Sequence, residues 1–182
     1  MADKKISQLT SATTPLVGTE EIPIVQSSGT KKATASSVAN LANGAAFRAY
    51  LDATQSITST SFTKVALDTE TFDTNSAFDV ANNWFQPNVA GYYQINGSVN
   101  AAPSSAPTRL IAFIYKNGSV YAQGQDFNSI PGAGGTSTVS TTVYLNGTTD
   151  YVELYTFIIA SSAAIGGGSA YTYMDGAFVR QA

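Results

Sequence analysis

The chain has 182 residues, of which 12% are charged and 11% are aromatic, and its net charge at pH 7 is -3. This balance excludes the cationic surface that nucleic-acid binding requires, and no apolar run is long enough for a membrane span. The absence of Cys and His excludes disulfides, thiolate metal sites and catalysis by Ser-His or Cys-His pairs.

Residues 1–44 differ from the rest of the chain because they contain no aromatic residue. The stretch EIPIVQSSGTKKATAS predicts two short extended pieces around Ser28-Gly29, and residues 36–42 predict one small helix. So few apolar side chains cannot support an independent core. We therefore expect either a flexible leader or an N-terminal arm, residues 1–44, that becomes ordered on a partner.

Residues 45–182 predict a succession of strands. Asn117-Gly118 separates two apolar runs and indicates a hairpin, because both turn positions need positive φ. Asn146-Gly147 predicts a second hairpin with a slightly longer loop. Together with AFRAYLD near the start and AYTYMDGAFVR at the end, these runs predict an all-β domain. We expect about eight to ten strands, ten in a full jelly roll, arranged as a sandwich.

The segment from Leu110 to Tyr115 is apolar on both of its alternating faces. An antiparallel strand with one wet face alternates between apolar and polar residues, so this pattern predicts cover on both sides. A sandwich supplies one cover, and we expect a subunit interface to supply the other. The large side chains favoured for that interface lie in this strand and in the later segment from Tyr151 to Ile159; they are Phe113, Tyr115, Tyr155 and Phe157.

The spacing of residues between positions 67 and 95 resembles the signature of the globular head of the complement first component's q subcomponent, whose jelly roll is shared with tumour necrosis factor. The matching positions are Asp73, Phe78, Phe85, Gly91 and Tyr93, while Leu67 replaces the first aromatic residue of the signature and Ile95 replaces its last Phe. Later segments that resemble the same family are YKNG, DYVEL and MDGAF. The resemblance implies a trimeric jelly roll. Gly97 replaces an aromatic residue of the family, and this departure predicts a bulge.

The N-terminal arm resembles a leader found on tail-fibre and other virion-surface proteins of bacteriophages. The positions that carry this match are Lys5, Ile6, Ser7, Leu9, Gly18, Thr19, Glu20, Ile22, Pro23, Ile24 and Val25. The resemblance implies a protein on the virion surface whose arm docks on other phage virion proteins. Of these positions, the anchoring residues are expected to be Lys5, Ile6, Leu9, Ile22, Pro23, Ile24 and Val25.

Candidate binding residues fall into two sets. The first set is four acids close together in sequence, Asp68, Glu70, Asp73 and Asp79. The favoured interpretation is that they are solvated loop residues. A calcium site is the second interpretation, and hydrolysis by a pair of carboxylates is the third. No other cofactor is expected. The aromatic residues that fill a core or interface, or alternatively stack on sugar rings, are Trp84, Tyr92, Tyr121, Tyr171 and Tyr173.

These observations predict a non-enzymatic, homotrimeric phage virion protein with an anchoring arm and an outward jelly-roll head. We favour a tail fibre or receptor-binding protein that attaches to host surface polysaccharide. The alternative is a capsid-surface fibre or cement protein with a structural or adhesive role, and a depolymerase is third.

Overall fold

The computed structural model describes residues 19, 21–27, 29–35, 44–103, 106–128 and 134–181. The chain divides into two units, Met1–Asn43 and Gly44–Ala182. The predictions made for Lys5, Ile6 and Leu9, and for the helix over residues 36–42, lie outside the described residues.

The described part of the first unit is a β-hairpin. Strand β1 (Glu21–Gln26) pairs antiparallel with β2 (Gly29–Thr34), which confirms the two extended pieces predicted on either side of positions 28 and 29. Ile22, Pro23, Ile24 and Val25 all lie in β1, and Ile22 is 38% exposed. A two-stranded hairpin of this size is marginally stable by itself in water.

The second unit is built of strands. In chain order they are β3 (Ala46–Tyr50), β4 (Gln55–Ser56), β5 (Phe62–Lys64), β6 (Thr69–Asp73), β7 (Phe78–Asp79), β8 (Trp84–Phe85), β9 (Gly91–Ala101), β10 (Arg109–Lys116), β11 (Ser119–Asn128), β12 (Gly135–Leu145), β13 (Val152–Ile159), β14 (Ala164–Ile165) and β15 (Tyr173–Arg180). Eight of these have five or more residues, in agreement with the prediction of about eight to ten strands.

The strands form two antiparallel sheets packed face to face. The six-stranded sheet has the order β11-β10-β13-β8-β7, with β5 also paired to β13. The seven-stranded sheet has the order β4-β14-β9-β15-β3-β6, with β12 paired to β9. This arrangement confirms the all-β jelly-roll sandwich predicted from the sequence.

The space between the sheets is filled by aromatic and aliphatic side chains. Phe47 stacks on Phe85 with ring centroids 4.1 Å apart and on Phe78 at 5.4 Å, and Phe85 meets Tyr93 edge to face at 5.5 Å. The signature positions Leu67, Phe85, Tyr93 and Ile95 are fully buried there. The Tyr93 hydroxyl donates a hydrogen bond to the Val89 carbonyl, so its polar end is satisfied inside the core.

Asp73 has a different role from the other signature positions. Its carboxylate accepts hydrogen bonds from the backbone N–H groups of Phe78, at 2.7 Å, and Asn75, at 3.2 Å. These bonds hold the turn that carries the chain from β6 in one sheet to β7 in the other. The signature therefore combines core residues with one turn-stabilising acid.

Two glycines of β9 are needed for close packing. A Cβ on Gly97 would lie 2.5 Å from Leu154 Cδ1 and 3.1 Å from Val139 Cγ1, so the missing side chain leaves room for Leu154 of the opposite sheet. The predicted bulge at Gly97 is wrong, because pairing with β12 and β15 continues through this residue without a shift. Gly91 allows β15 to approach, since a Cβ there would meet the Arg180 carbonyl oxygen at 2.5 Å.

The two Asn-Gly sequences have different structures. Asn117 and Gly118 both have positive φ, 51° and 75°, and join the paired strands β10 and β11, which confirms the first hairpin. The second hairpin prediction is wrong, because β12 and β13 belong to different sheets. There the Asn146 side-chain oxygen accepts hydrogen bonds from the backbone N–H groups of residues 148, 149 and 150, and caps a loop that crosses between the sheets.

Strand β10 is apolar on both faces, as predicted. Leu110, Ala112 and Ile114 lie in the core between the sheets and are fully buried. The side chains of the other alternating set are turned outward, yet Ile111 and Phe113 are only 3% and 4% exposed. The single chain already covers most of this second face, with Tyr115 partly exposed, so the apolar pattern of β10 does not by itself require a second subunit.

Candidate functional site

The outward side of the six-stranded sheet carries a continuous group of aromatic rings, which we call the aromatic face. Tyr115 stacks on Tyr155 at 3.9 Å, Phe113 meets Tyr115 at 6.4 Å, and Phe62 meets Phe113 at 5.3 Å and Phe157 at 5.1 Å. The face consists of Phe62, Trp84, Phe113, Tyr115, Tyr151, Tyr155 and Phe157. It brings together all four residues predicted from the sequence as interface candidates.

Pairing of β5 with β13 explains why most of this face is covered within one chain. Phe62 lies directly opposite Phe157 in the register and leans against Phe113. Phe62 itself is 54% exposed, as is Val120 of β11. Between these two side chains runs a shallow apolar groove of about 360 Å³, floored by Ile111, Phe113 and Phe157.

A buried charge pair lies at the other end of the aromatic face. Glu153 of β13 faces Tyr115 across the strand pair, and its Oε1 accepts a hydrogen bond of 2.5 Å from Lys64 Nζ. The Glu153 side chain is 5% exposed and that of Lys64 is 28% exposed. Among the buried side-chain polar atoms of the described residues, Glu153 Oε2 is the one without a hydrogen-bond partner.

Burial and the nearby Glu153 carboxylate both affect the pKa values of the stacked residues Tyr115 and Tyr155. Burial raises the pKa of the Tyr115 hydroxyl, and the negative charge of Glu153 raises it further. The pKa of Tyr155 is raised by burial first and then by the same charge. Both phenols therefore stay neutral over the physiological pH range and act as hydrogen-bonding, uncharged groups.

Trp84 lies beside the charge pair and contacts both Lys64 and Tyr151. Its ring lies 4.4 Å from that of Tyr151, with an angle of 35° between the planes. Lys64 Nζ lies 5.3 Å from the centre of the Trp84 ring, within the range of a cation–π contact. Asp79 pairs with Trp84 across β7 and β8, and hydrogen bonds from the side chain and backbone of Asn82 lower the pKa of this aspartate.

The outward side of the seven-stranded sheet has a different chemistry. Arg48, Asp175, Asn96 and Ser140 lie directly opposite one another on four neighbouring strands. Asp175 accepts hydrogen bonds from Arg48 at 2.6 Å and from Asn96 at 2.9 Å, and Ser140 donates to Asn96 at 2.8 Å. We call this line of satisfied side chains the polar row.

An exposed apolar patch lies beside the polar row. Tyr92 of β9 faces Tyr144 of β12, with ring centroids 5.7 Å apart, and they are 39% and 38% exposed. Val179 of β15 is 55% exposed, and with Tyr92 and Arg180 it lines a surface cavity of about 360 Å³. We call Tyr92, Tyr144 and Val179 the tyrosine patch.

Three of the four acids considered for calcium accept hydrogen bonds within the fold. Asp68 accepts a hydrogen bond from the Asp52 N–H, Asp73 holds the turn between β6 and β7, and Asp79 accepts from Asn82. Glu70 is exposed on β6. Within the described residues no three Asp or Glu side chains gather into a group that could hold a metal ion.

The five aromatic residues considered for sugar stacking do not form one site. Trp84 lies on the six-stranded sheet, whereas Tyr92 and Tyr173 lie on the seven-stranded sheet, and the ring of Tyr173 lies under the Arg48 guanidinium at 3.8 Å. Tyr121 is on β11, and Tyr171 precedes β15 and is 59% exposed.

Sequence reasoning missed Lys64, Tyr151 and Glu153, which surround Trp84. One signal was available, because Glu153 is the only charged residue within the otherwise uncharged run YVELYTFII. The partner of Glu153, however, lies 89 positions away in the chain.

No family model matches the sequence, and no curated protein matches it. Solved structures do match. The globular domain of zebrafish complement 1qA protein is 16% identical, with a TM-score of 0.54, over 75% of this chain and 98% of that one. An Eiger TNF from S. frugiperda is 8% identical, with a TM-score of 0.59, over 78% of this chain and 94% of that one. Murine APRIL is 10% identical, with a TM-score of 0.54, over 75% and 99% of the two chains.

Within the described residues, no helix has the length and apolar character needed to cross a membrane. At these sequence identities the structural matches bear on the fold alone. The chain has the jelly-roll fold seen in the complement 1q globular head and in proteins of the tumour necrosis factor type.

Proposed function

We propose that this chain is a homotrimeric bacteriophage virion protein, a tail fibre or receptor-binding protein without catalytic activity, that attaches to polysaccharide on the host surface. The aromatic face is the observation that carries the proposal. It combines large rings with two charge pairs, Lys64–Glu153 and Arg109–Asp126, on the outward side of the six-stranded sheet. Aromatic surfaces with a few placed polar groups suit ligands that are part apolar and part polar, such as sugars.

The arm supports the placement on a virion. Its resemblance to phage leaders rests on residues that include the β1 strand, and this hairpin has too little apolar surface to be stable alone. An arm of this kind gains its order from a partner, and the proposed partner is another virion protein. The jelly-roll unit is then the part that projects outward.

The contact between subunits is proposed to use the tyrosine patch. The sequence favoured Phe113, Tyr115, Tyr155 and Phe157 for this contact because their strand needed cover. One chain already supplies that cover for Ile111 and Phe113, although Phe62 and Val120 beside them are 54% exposed. On the other sheet, Tyr92, Tyr144 and Val179 are exposed on three neighbouring strands. A contact on the tyrosine patch leaves the aromatic face free for a ligand.

Assembly is tested by light scattering or native mass spectrometry. The 19.0 kDa chain is expected to give a particle of three times its mass, and a monomer at micromolar concentration contradicts the proposed trimer.

Binding is tested with purified polysaccharide of the host. Saturable binding without release of sugar fragments is expected, and release of fragments would instead indicate a depolymerase.

Location is tested by electron microscopy of phage particles with an antibody against residues 45–182. Label on tail fibres is expected, and label on the capsid exterior would favour the capsid-surface or cement role instead.

A version of the chain that begins at Ala45 is expected to trimerise and to be absent from particles. Normal incorporation of that version would show that the arm is not the anchor.

A further inference from the structure

We propose that Trp84, Tyr151, Lys64 and Glu153 form a binding site for one neutral sugar ring. This inference rests on the proposed attachment to polysaccharide, and it names the residues and the class of sugar. The four residues come from β5, β8, β13 and the residue just before β13, so the site exists only in the folded sheet.

Trp84 and Tyr151 form the platform of the site. Their rings pack against each other, with centroids 4.4 Å apart and planes inclined by 35°, and both residues are half-buried. The apolar C–H face of a hexose can pack against the outer side of such a stacked pair. Contact of this kind removes apolar surface from water on both partners.

Lys64 supplies hydrogen-bond donors at the edge of the platform. Its Nζ lies 5.3 Å from the centre of the Trp84 ring and 2.5 Å from Glu153 Oε1. An ammonium has three N–H donors, and Glu153 Oε1 is the acceptor found for it among the described residues. The remaining donors are free for ring or hydroxyl oxygens of a sugar.

Glu153 supplies the unused acceptor. Its Oε2 is buried and has no hydrogen-bond partner within the described residues. A buried carboxylate oxygen without a donor is costly, and native proteins rarely keep one without a use. A sugar hydroxyl is a suitable donor. Because the Lys64 ammonium sits on a flexible stem, we infer that it shifts to let a hydroxyl reach the carboxylate.

The local charge selects a neutral sugar. Lys64 contributes one positive charge, while Glu153 and the neighbouring Asp79 contribute two negative charges. The net negative charge at the site repels the carboxylate of a uronic or sialic acid. Neutral hexoses carry neighbouring hydroxyl groups that match the donor and the acceptor without this repulsion.

The experiment uses the fluorescence of Trp84, which is the only tryptophan of the chain. The intact protein is titrated with neutral oligosaccharides from dextran, mannan and galactan, and with acidic oligosaccharides from alginate. A saturable change in Trp84 emission is expected with at least one neutral series and not with alginate. The Glu153→Gln variant keeps the shape and the fluorophore, and its affinity is expected to fall about tenfold to a hundredfold, as for one hydrogen bond to a charged group.

The control is Tyr171→Ala, which removes an exposed ring outside the site and is expected to bind like the parent. Calorimetry with Trp84→Leu provides a second measurement, and thermal melting verifies that each variant is folded. If the protein binds a polysaccharide but Trp84→Leu and Glu153→Gln bind it equally well, the assigned site is wrong and the proposed function stands. Failure to bind host polysaccharide or any of the probes would overturn both.

Discussion

The outward faces of the two sheets differ in how far their apolar side chains are shielded from water. Both sheets bury one apolar side in a common core, but the six-stranded sheet also carries apolar side chains outward, whereas the seven-stranded sheet carries the polar row. On the six-stranded sheet, rings from neighbouring strands cover one another. On the seven-stranded sheet the tyrosine patch stays uncovered. A strand that is apolar on both sides therefore need not indicate a subunit contact.

The physical reason lies in cross-strand neighbours. Side chains directly opposite each other on paired strands have Cβ atoms about 5 Å apart, so large rings on adjacent strands remove each other from water. Phe62 and Phe157 are such a pair, and so are Phe113 and Tyr155. Four changes test this comparison, in order of their expected effect on the stability of the subunit.

The largest effect is expected for Ile114→Asp. Ile114 is fully buried in the core between the sheets, where a carboxylate would have neither water nor a partner. The cost is of the same order as the whole stability of a domain, roughly 5 to 15 kcal/mol, so the subunit is expected to be unfolded. Circular dichroism measures this. A folded variant would contradict the inward assignment of this side of β10.

Phe113→Asp is expected to destabilise the subunit without separating the proposed trimer. Phe113 is 4% exposed and contacts Phe62 and Tyr115, so removal of its ring costs about 3 to 5 kcal/mol, while the new carboxylate lies beside the solvent-facing groove. Chemical denaturation and sizing of the same sample measure both properties. Release of well-folded monomers would instead show that the aromatic face forms the subunit contact.

Acid is expected to loosen the six-stranded sheet before the seven-stranded one. The aspartates with a clearly lowered pKa in the described residues are Asp79, Asp126 and Asp150, and all lie in or beside the six-stranded sheet. Burial acts to raise the pKa of Asp150, but hydrogen bonds from Asn117 and Lys116 outweigh it. Since the folded pKa lies below the unfolded value of about 3.9, the stabilisation is present above that value and is lost as the pH falls through the folded pKa.

Hydrogen exchange in β10 and β13, compared with β9 and β15, measures this effect between about pH 5 and pH 2. Asp150→Asn serves as the matched control, because it removes the titrating group and is expected to reduce the dependence on pH. Equal loss of protection in both sheets would show that the acid response does not originate in these aspartates.

Tyr144→Asp is expected to have the smallest effect on the subunit and a large one on assembly. Tyr144 is 38% exposed, so an aspartate in its place stays hydrated, and the cost to the fold is within about 1 kcal/mol. In the proposed trimer the added charges fall in the subunit contact, and folded monomers are expected by light scattering. A trimer that persists, with an unchanged melting temperature, would exclude the tyrosine patch as the contact.

The sequence by itself determined the local features of this fold. Alternation separated the two apolar sets of β10 without saying which set faces the core, Asn117-Gly118 indicated a two-residue turn, and the spacing of Phe85, Tyr93 and Ile95 identified core positions. These features depend on the geometry of one strand or one turn, which neighbouring residues control.

Only the tertiary structure decided what lies against each strand. In the folded chain β12 and β13 belong to different sheets, although a single Asn-Gly loop joins them. Gly97 does not form a bulge, and its missing side chain leaves the space that Leu154 occupies. The tertiary structure also covered Phe113 with Phe62 and brought Lys64 to Glu153. Strand pairing at long sequence separation sets such contacts, and periodicity within one strand carries no information about which distant strand becomes its neighbour.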